Sequence, residues 1–236
     1  MICRIVLPAR GAAPPLGPSA RAAVAAAALA AALHPGPAAG QAGGCHCFRD
    51  RAYDPARPAA ADPYVLATSR SSLLSAAFAV PMAELVQGAM SGTPPEDMGV
   101  ARWAAARSGL EAGALLDARR AKGSWKAALA GAPGLGAPFE AALARAAADA
   151  ELAAIAVDDV LASRFGADPA AVAALRGAGA TSEQVVVASI LAARLGTPTV
   201  PLLRAVQAGR TTWGALLADA GLAPKEIDPF VRSRVR

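Results

Sequence analysis

From about Ala67 onward the apolar positions follow a helical period, and short breakers divide the pattern into segments. Prolines fall where helices can begin, because the first helical residue does not use its N–H within the helix. Glycines fall where helices can end, because a left-handed residue is favoured there. Runs of β-branched and aromatic residues, which strands favour, are few. The pattern therefore predicts an all-α fold.

A repeat is visible when residues 92–121 are aligned with residues 179–208, which lie 87 positions later. Twelve of the 30 aligned positions are identical, and seven of these are not alanine, which matters in an Ala-rich chain. The seven pairs are Gly92/Gly179, Glu96/Glu183, Val100/Val187, Arg107/Arg194, Gly109/Gly196, Leu115/Leu202 and Leu116/Leu203. Matching helix ends and matching core leucines indicate one multi-helix unit used twice. Because two copies are too few for a solenoid, we expect a compact pair.

These patterns divide the chain into four parts. The parts are a leader at 1–42, an irregular Cys-His-Cys segment at 43–66, a first helical unit at 67–136 and a second unit at 137–236. Since no Gly or Pro interrupts Phe139 to Phe165, the second unit is predicted to include one long linking helix.

The leader has the order of a secretory signal. Residues 1–21 are basic without any acid, residues 22–33 are an apolar run, and small residues follow up to Ala42. The apolar run is too short for a transmembrane helix, which needs about 20 residues. We expect export to the periplasm or cell envelope, with no transmembrane segment after cleavage. A buried Ala-rich helix is the alternative interpretation of this stretch.

Removal of the leader also changes the charge balance. The whole chain carries a formal charge of +5, but the part after Ala42 has 20 cations and 18 acids. A nearly neutral protein lacks the electrostatic attraction that dominates nucleic-acid binding. We therefore expect a protein partner and no nucleic-acid partner.

Cys45, His46 and Cys47 form the one cluster of soft metal ligands after the leader. Thiolate and imidazole suit zinc or copper, so these three residues are the candidate metal site. One chain supplies at most three such ligands, so a tetrahedral site needs an outside ligand or a homodimer. An exported compartment favours a disulfide over the metal site, and a lipid anchor at Cys45 or no role at all are the remaining alternatives.

No catalytic or cofactor-binding residue is assigned from the sequence, because no phosphate-binding loop, nucleophile elbow or metalloprotease motif is present. A polar cleft in which Asp158 and Asp159 converge would favour an enzyme. The matched Arg107 and Arg194 are predicted to pair with the matched Glu96 and Glu183 between helices or copies.

The segment CHCFRDRAYDP…AADPYVLATSR resembles a family of uncharacterised exported bacterial proteins. The residues that carry this resemblance are Cys45, His46, Cys47, Asp50, Asp54, Pro55, Asp62, Pro63 and Tyr64, together with the helical repeat after them. The resemblance implies an exported, helical protein and no particular activity.

The sequence leaves three candidate functions. The first is a non-enzymatic interaction or structural module of the cell envelope, favoured by the paired helical units. The second is a metal or thiol-redox carrier that uses Cys45, His46 and Cys47. The third is an enzyme of a class without a recognisable motif.

Overall fold

The computed structural model describes residues 50–236. Within this range the chain forms twelve α-helices, one π-helical turn and one 3₁₀ turn, without a β-strand. The predicted all-α fold is therefore confirmed. Residues 50–61, which lead into the first helix, are turns and irregular backbone.

The first six helices are α1 (Asp62–Phe78), α2 (Met82–Met90), α3 (Pro95–Ser108), α4 (Ala112–Lys122), α5 (Trp125–Ala128) and α6 (Ala137–Ala144). The last six are α7 (Asp149–Val160), α8 (Pro169–Gly177), α9 (Ser182–Leu195), α10 (Thr199–Gln207), α11 (Trp213–Asp219) and α12 (Ile227–Arg234). A π-helical turn (Leu161–Phe165) continues α7, and a 3₁₀ turn (Pro224–Glu226) precedes α12.

The last six helices repeat the first six, so the first unit consists of α1 to α6 and the second of α7 to α12. α8 and α9 each begin and end 87 residues after α2 and α3, and α7 with its π turn does so relative to α1. Burial repeats with the same period, since Val100 and Val187 are both fully buried. After one inserted residue, the buried Trp125 and Trp213 begin α5 and α11 in turn. The predicted pair of duplicated units is confirmed and extends over the helical body.

The two units exchange their first helices. α1 packs mainly on α9 and α12 of the second unit, and α7 packs mainly on α3 and α6 of the first. This reciprocal packing forms one continuous apolar core that includes Leu73, Val100, Leu161 and Val187. Each unit therefore packs its core against the first helix of the other.

Most of α1 is buried, and from Ala67 to Ser75 every residue except Ser71 is buried, largely through small side chains. Ser69, Ser72 and Ser75 are fully buried, and Ala67 and Ala77 nearly so. Small side chains allow neighbouring helices to approach closely, which explains how an Ala-rich chain with few aromatics fills its interior. The hydroxyls of Ser69 and Ser72 have no hydrogen-bond partner among the described residues.

Three predicted boundaries differ from the structure. The repeat places α6 (Ala137–Ala144) in the first unit, whereas the predicted second unit begins at residue 137. The helical body begins at Asp62 and not at Ala67, because Pro63 lies in the first turn of α1, where proline is tolerated. The predicted linking helix from Phe139 to Phe165 is wrong, since α6 ends at Ala144 and α7 begins at Asp149.

The break between α6 and α7 is made by a left-handed alanine. Ala146 has a φ of 54°, and the N–H of Ala147 donates to the carbonyl of Ala142, which closes the end of α6. A left-handed non-glycine residue costs about 1 kcal/mol. Burial of Phe139, whose ring centroid lies 4.4 Å from that of Trp103, favours the turn that folds α6 back on the core.

Candidate functional site

The predicted metal ligands Cys45, His46 and Cys47 lie outside the described residues. Within residues 50–236, no group of three or more His, Cys, Asp or Glu side chains is arranged to hold a metal ion. The metal site, the disulfide and the lipid anchor therefore stay predictions for the segment before residue 50.

Residues 50–61, here called the strap, lead into α1 and contact the second unit. The hydroxyl of Thr212 donates to the carbonyl of Pro58 over 2.8 Å. At the end of the strap, Asp62 accepts hydrogen bonds from the backbone N–H groups of Trp213 at 3.2 Å and Gly214 at 2.8 Å. These are the first N–H groups of α11, so Asp62 caps a helix 151 residues away in the chain.

The carboxyl of Asp62 is electrostatically unusual. Partial burial raises its pKa above the ordinary value, because the charged form loses hydration. The two N–H groups of α11 act in the opposite direction but do not offset the burial. Both carboxylate oxygens of Asp62 accept backbone N–H groups of α11, so its contacts are those of a helix cap.

The predicted pairing of Arg107 and Arg194 with Glu96 and Glu183 is wrong. Both glutamates pair instead with Arg70 of α1, whose side chain is only 7% exposed. Arg107 donates to Asp159 over 2.6 Å, and Arg194 donates to the carbonyl of Ala220 over 3.2 Å. The sequence identified the matched residues but not their partner, because Arg70 belongs to the exchanged helix α1.

Asp158 and Asp159 point to different helices and do not converge. Asp158 accepts from the guanidinium of Arg176 at 2.7 Å, which ties α7 to α8. Asp159 accepts from the indole N–H of Trp103 at 2.8 Å and from Arg107, which ties α7 to α3. Each carboxylate forms an ion pair with an arginine of another helix. These contacts stabilise helix packing, and the two carboxylates are not arranged as an acid–base pair.

An open groove lies where the C-terminal end of α1 meets α3, the turn before α4 and the π turn. It consists of two adjoining cavities of about 230 and 410 Å³ that share Phe78, Ala106 and Arg164. Its apolar wall includes Leu110, which is 44% exposed and is one of three large apolar side chains so exposed in the described range. Arg102 and Arg107 lie along the same walls.

A second cavity, of about 380 Å³, lies beneath the strap. Tyr53 from the strap and Val65 from α1 form one side, and Leu217 and Leu222 form the other. This cavity is mostly apolar, with Glu226 at its edge. It is adjacent to α11, whose N-cap residue Thr212 binds the strap and whose first N–H groups bind Asp62 of α1.

The groove was missed at the sequence level for a physical reason. Arg164 lies 87 residues after Ala77, so the second unit has an arginine where the first has an alanine. This difference between equivalent positions is the one sequence signal that pointed to the groove. The π turn that contains Arg164 has no sequence signature, because its counterpart at the end of α1 is α-helical. π turns are often found at functional sites.

Comparison with family models, with curated proteins and with solved structures finds no match. In the described part of the chain, none of the helices has both the length and the apolarity needed to cross a membrane.

Proposed function

We propose that this chain is a non-enzymatic interaction module of the cell envelope, which binds another protein through the surface of its paired helical units. The observation that carries this proposal is the open groove beside Phe78, Leu110 and Arg164 on an otherwise tightly fastened body. Exposed apolar side chains set in a concave surface are typical of protein-binding sites.

The use of the charged residues supports the same proposal. Asp62, Asp158 and Asp159 each hold two elements of the fold together, through their hydrogen bonds to α11, α8 and α3. An acid–base catalyst must instead direct an ionisable group at a substrate. The described charges that pack between helices thus serve architecture, which suits a rigid scaffold that presents a surface.

Export is part of the proposal and rests on the leader at 1–42. Fusing these residues to a reporter that is active only outside the cytoplasm tests it directly. We expect reporter activity with the natural leader and none when acidic residues interrupt its apolar run. Activity that is equal for both fusions would overturn export.

The interaction itself is tested by photo-crosslinking in the producing cell. A crosslinking residue is placed in turn at exposed positions of the full chain, including Met90, Leu110 and Leu195. We expect at least one position to give a defined adduct whose partner rebinds the purified chain. No adduct at any position, across all faces, would overturn the proposed function.

A further inference from the structure

A cleft of about 280 Å³ lies between α2, α3 and α4 of the first unit. Leu85, Met98 and Leu116 form its apolar wall, and Gly88 of α2 lies beside them. The other lining residues are polar, namely Glu84, Gln87, Ser91, Thr93 and Arg102. Arg102 also lines the groove beside Phe78 and Leu110, so the cleft adjoins that surface.

The second unit closes the equivalent space with its own side chains. Gly88 corresponds, 87 residues later, to Leu175, which is fully buried. α8 packs against both α9 and α10, whereas α2 packs on α1 and α3 without comparable contact to α4 in the described structure. Leu203 of α10 is fully buried, but its counterpart Leu116 lines the cleft and is partly exposed. The leucine that joins α8 to α10 is thus missing from α2.

The polar lining is also particular to the first unit. Its equivalents are alanines at four positions, the pairs being Glu84/Ala171, Gln87/Ala174, Ser91/Ala178 and Thr93/Ala180. The side chains of Gln87, Ser91 and Thr93 form no hydrogen bond with any described residue. The alanines show that the fold does not require these polar groups. The lining of the cleft is therefore available to a ligand.

The charges of the cleft are balanced within it. Among the described residues that line it, only Glu84 and Arg102 are charged, and they pair with each other. A charged ligand group would lose hydration there without meeting an unpaired countercharge. Gln87, Ser91 and Thr93 offer neutral donors and acceptors, which match peptide N–H and C=O groups. The electrostatic complement of this cleft is an uncharged ligand that forms hydrogen bonds.

The apolar part of the cleft has room for one aliphatic side chain. A Cβ atom at position 88 would lie 2.7 Å from Sδ of Met98, so this thioether borders the space that Gly88 leaves. Methionine is unbranched and changes rotamer readily, which allows it to move aside for a ligand. In the second unit, the corresponding pair is Leu175 and Val185, and both are fully buried. A branched aliphatic group therefore suits this space.

We propose that the cleft binds an uncharged peptide segment of a partner protein, which inserts a branched aliphatic side chain beside Gly88 and Leu116. The peptide groups of that segment bind Gln87, Ser91 and Thr93. This inference rests on the proposed function and specifies the chemistry of the partner. The inserted side chain supplies affinity, and the balanced charges of the cleft select against acidic and basic segments.

The test uses the full chain with labelled methionine methyl groups and a short capped peptide of glycine and serine around one leucine. In NMR titrations we expect a saturable shift of the Met98 methyl signal. The Met90 signal is the internal control, since Met90 is 64% exposed and lies outside the lining. Twin peptides with alanine, lysine or glutamate at the centre should bind at least about tenfold more weakly. No saturable shift of Met98, or equal binding of the leucine and alanine peptides, overturns the inference.

The second unit supplies the design of a variant that closes the cleft. Gly88→Leu combined with Met98→Val copies the pair Leu175 and Val185, and should raise the Tm while weakening the labelled leucine peptide by about tenfold or more in anisotropy. Gly177→Leu is the matched control, because a Cβ at this exposed end of α8 meets no atom within 4 Å. It should alter binding by less than about twofold. Equal effects of the two variants overturn the assignment to this cleft.

A second comparison leaves the apolar core unchanged. Gln87→Ala combined with Thr93→Ala copies the alanines of the second unit and should weaken the leucine peptide by about threefold or more. Gln207→Ala removes a glutamine from α10, which lies outside the cleft, and should leave binding unchanged. Unchanged binding in the double variant overturns the role of the polar lining.

The crosslinking experiment distinguishes failure of this inference from failure of the proposed function. Ser91, an exposed residue of the cleft, is added to the positions tested. Adducts at Leu110 or Leu195 without any at Ser91 would reject the cleft and leave the interaction module standing. Adducts at Ser91 with a charged partner segment would reject the uncharged ligand alone. A Met98 shift with phosphatidylcholine vesicles, and with none of the peptides, would reject the peptide in favour of a lipid chain.

Discussion

Glu96 and Glu183 occupy equivalent positions in the two units and both pair with the guanidinium of a single residue, Arg70. Nη1 of Arg70 lies 3.3 Å from Oε1 of Glu96, and the same atom binds Glu183. Arg70 is nearly buried, and the two carboxylates approach it from the two halves of the repeat. One arginine thus joins α1, α3 and α9, the helices through which the exchanged units meet.

The two glutamates should not contribute equally to stability. The side chain of Glu183 is 20% exposed and that of Glu96 is 42% exposed, so water screens the Glu96 contact more strongly. We expect Glu183→Gln to lower the free energy of unfolding by about 2 kcal/mol and Glu96→Gln by less than about 1 kcal/mol. Urea denaturation followed by circular dichroism measures both values.

Arg70→Met tests the cation that Glu96 and Glu183 share. It removes the cation and leaves two carboxylates facing a nearly buried site, which should cost about 3 kcal/mol or more. Adding Glu183→Gln to Arg70→Met should recover part of the loss, since it removes the more buried unpaired charge. Additive losses in the double variant would show that the two residues are not coupled.

Helix α1 also contains buried hydroxyl groups that lack a hydrogen-bond partner in the described range. The hydroxyls of Ser69 and Ser72 are fully buried without a partner in the described range, which costs free energy that an alanine would not incur. We expect Ser69→Ala and Ser72→Ala each to raise the free energy of unfolding by about 1 kcal/mol. Thermal denaturation should show a matching rise in Tm.

Ser75 is the control on the same helix. Its hydroxyl donates to the carbonyl of Val80 over 2.6 Å and accepts from Arg232 over 2.6 Å. Ser75→Ala should therefore destabilise the protein by about 1 kcal/mol, although the volume change is the same. The same sign of effect at Ser72 and Ser75 would contradict this account.

The sequence identified the fold class, the repeat and most helix ends, because these follow from local periods and capping residues. Thr181 shows such a local signal, since it caps α9 by accepting the N–H of Gln184. What it could not supply is the exchange of first helices, which depends on packing between distant segments. The location of Arg70 between Glu96 and Glu183 follows from that exchange, so the sequence alone did not predict these ion pairs.

The groove was hidden for a related reason. Arg164 and Leu110 are separated by 54 positions in the chain, and no spacing rule brings them together. The break at Ala146 also has no signature, since alanine ordinarily extends a helix. Helix propensity alone therefore does not predict the break that separates α6, packed on the core through Phe139, from α7.

The Cys45-His46-Cys47 hypothesis predicts bound zinc or copper in the exported chain, lost when Cys45→Ser and Cys47→Ser are combined. Metal analysis and thiol titration of one sample measure this. Metal that survives the double substitution would contradict the hypothesis. An absence of both metal and free thiol would instead identify the disulfide, which is favoured outside the cytoplasm.

The raised pKa of Asp62 predicts a pH dependence with a definite sign. Since burial raises this pKa, the folded protein binds a proton more readily than the unfolded chain above the ordinary aspartate pKa of 3.8. Stability contributed by this group therefore falls as the pH rises from about 3.8 through the raised pKa.

In Asp62→Asn this dependence is absent. We expect the wild-type free energy of unfolding, minus that of Asp62→Asn, to decrease with rising pH across this window. Urea titrations of both proteins at each pH give the difference directly. A difference that grows with pH would mean that the N–H groups of Trp213 and Gly214 outweigh burial and hold the pKa below its ordinary value.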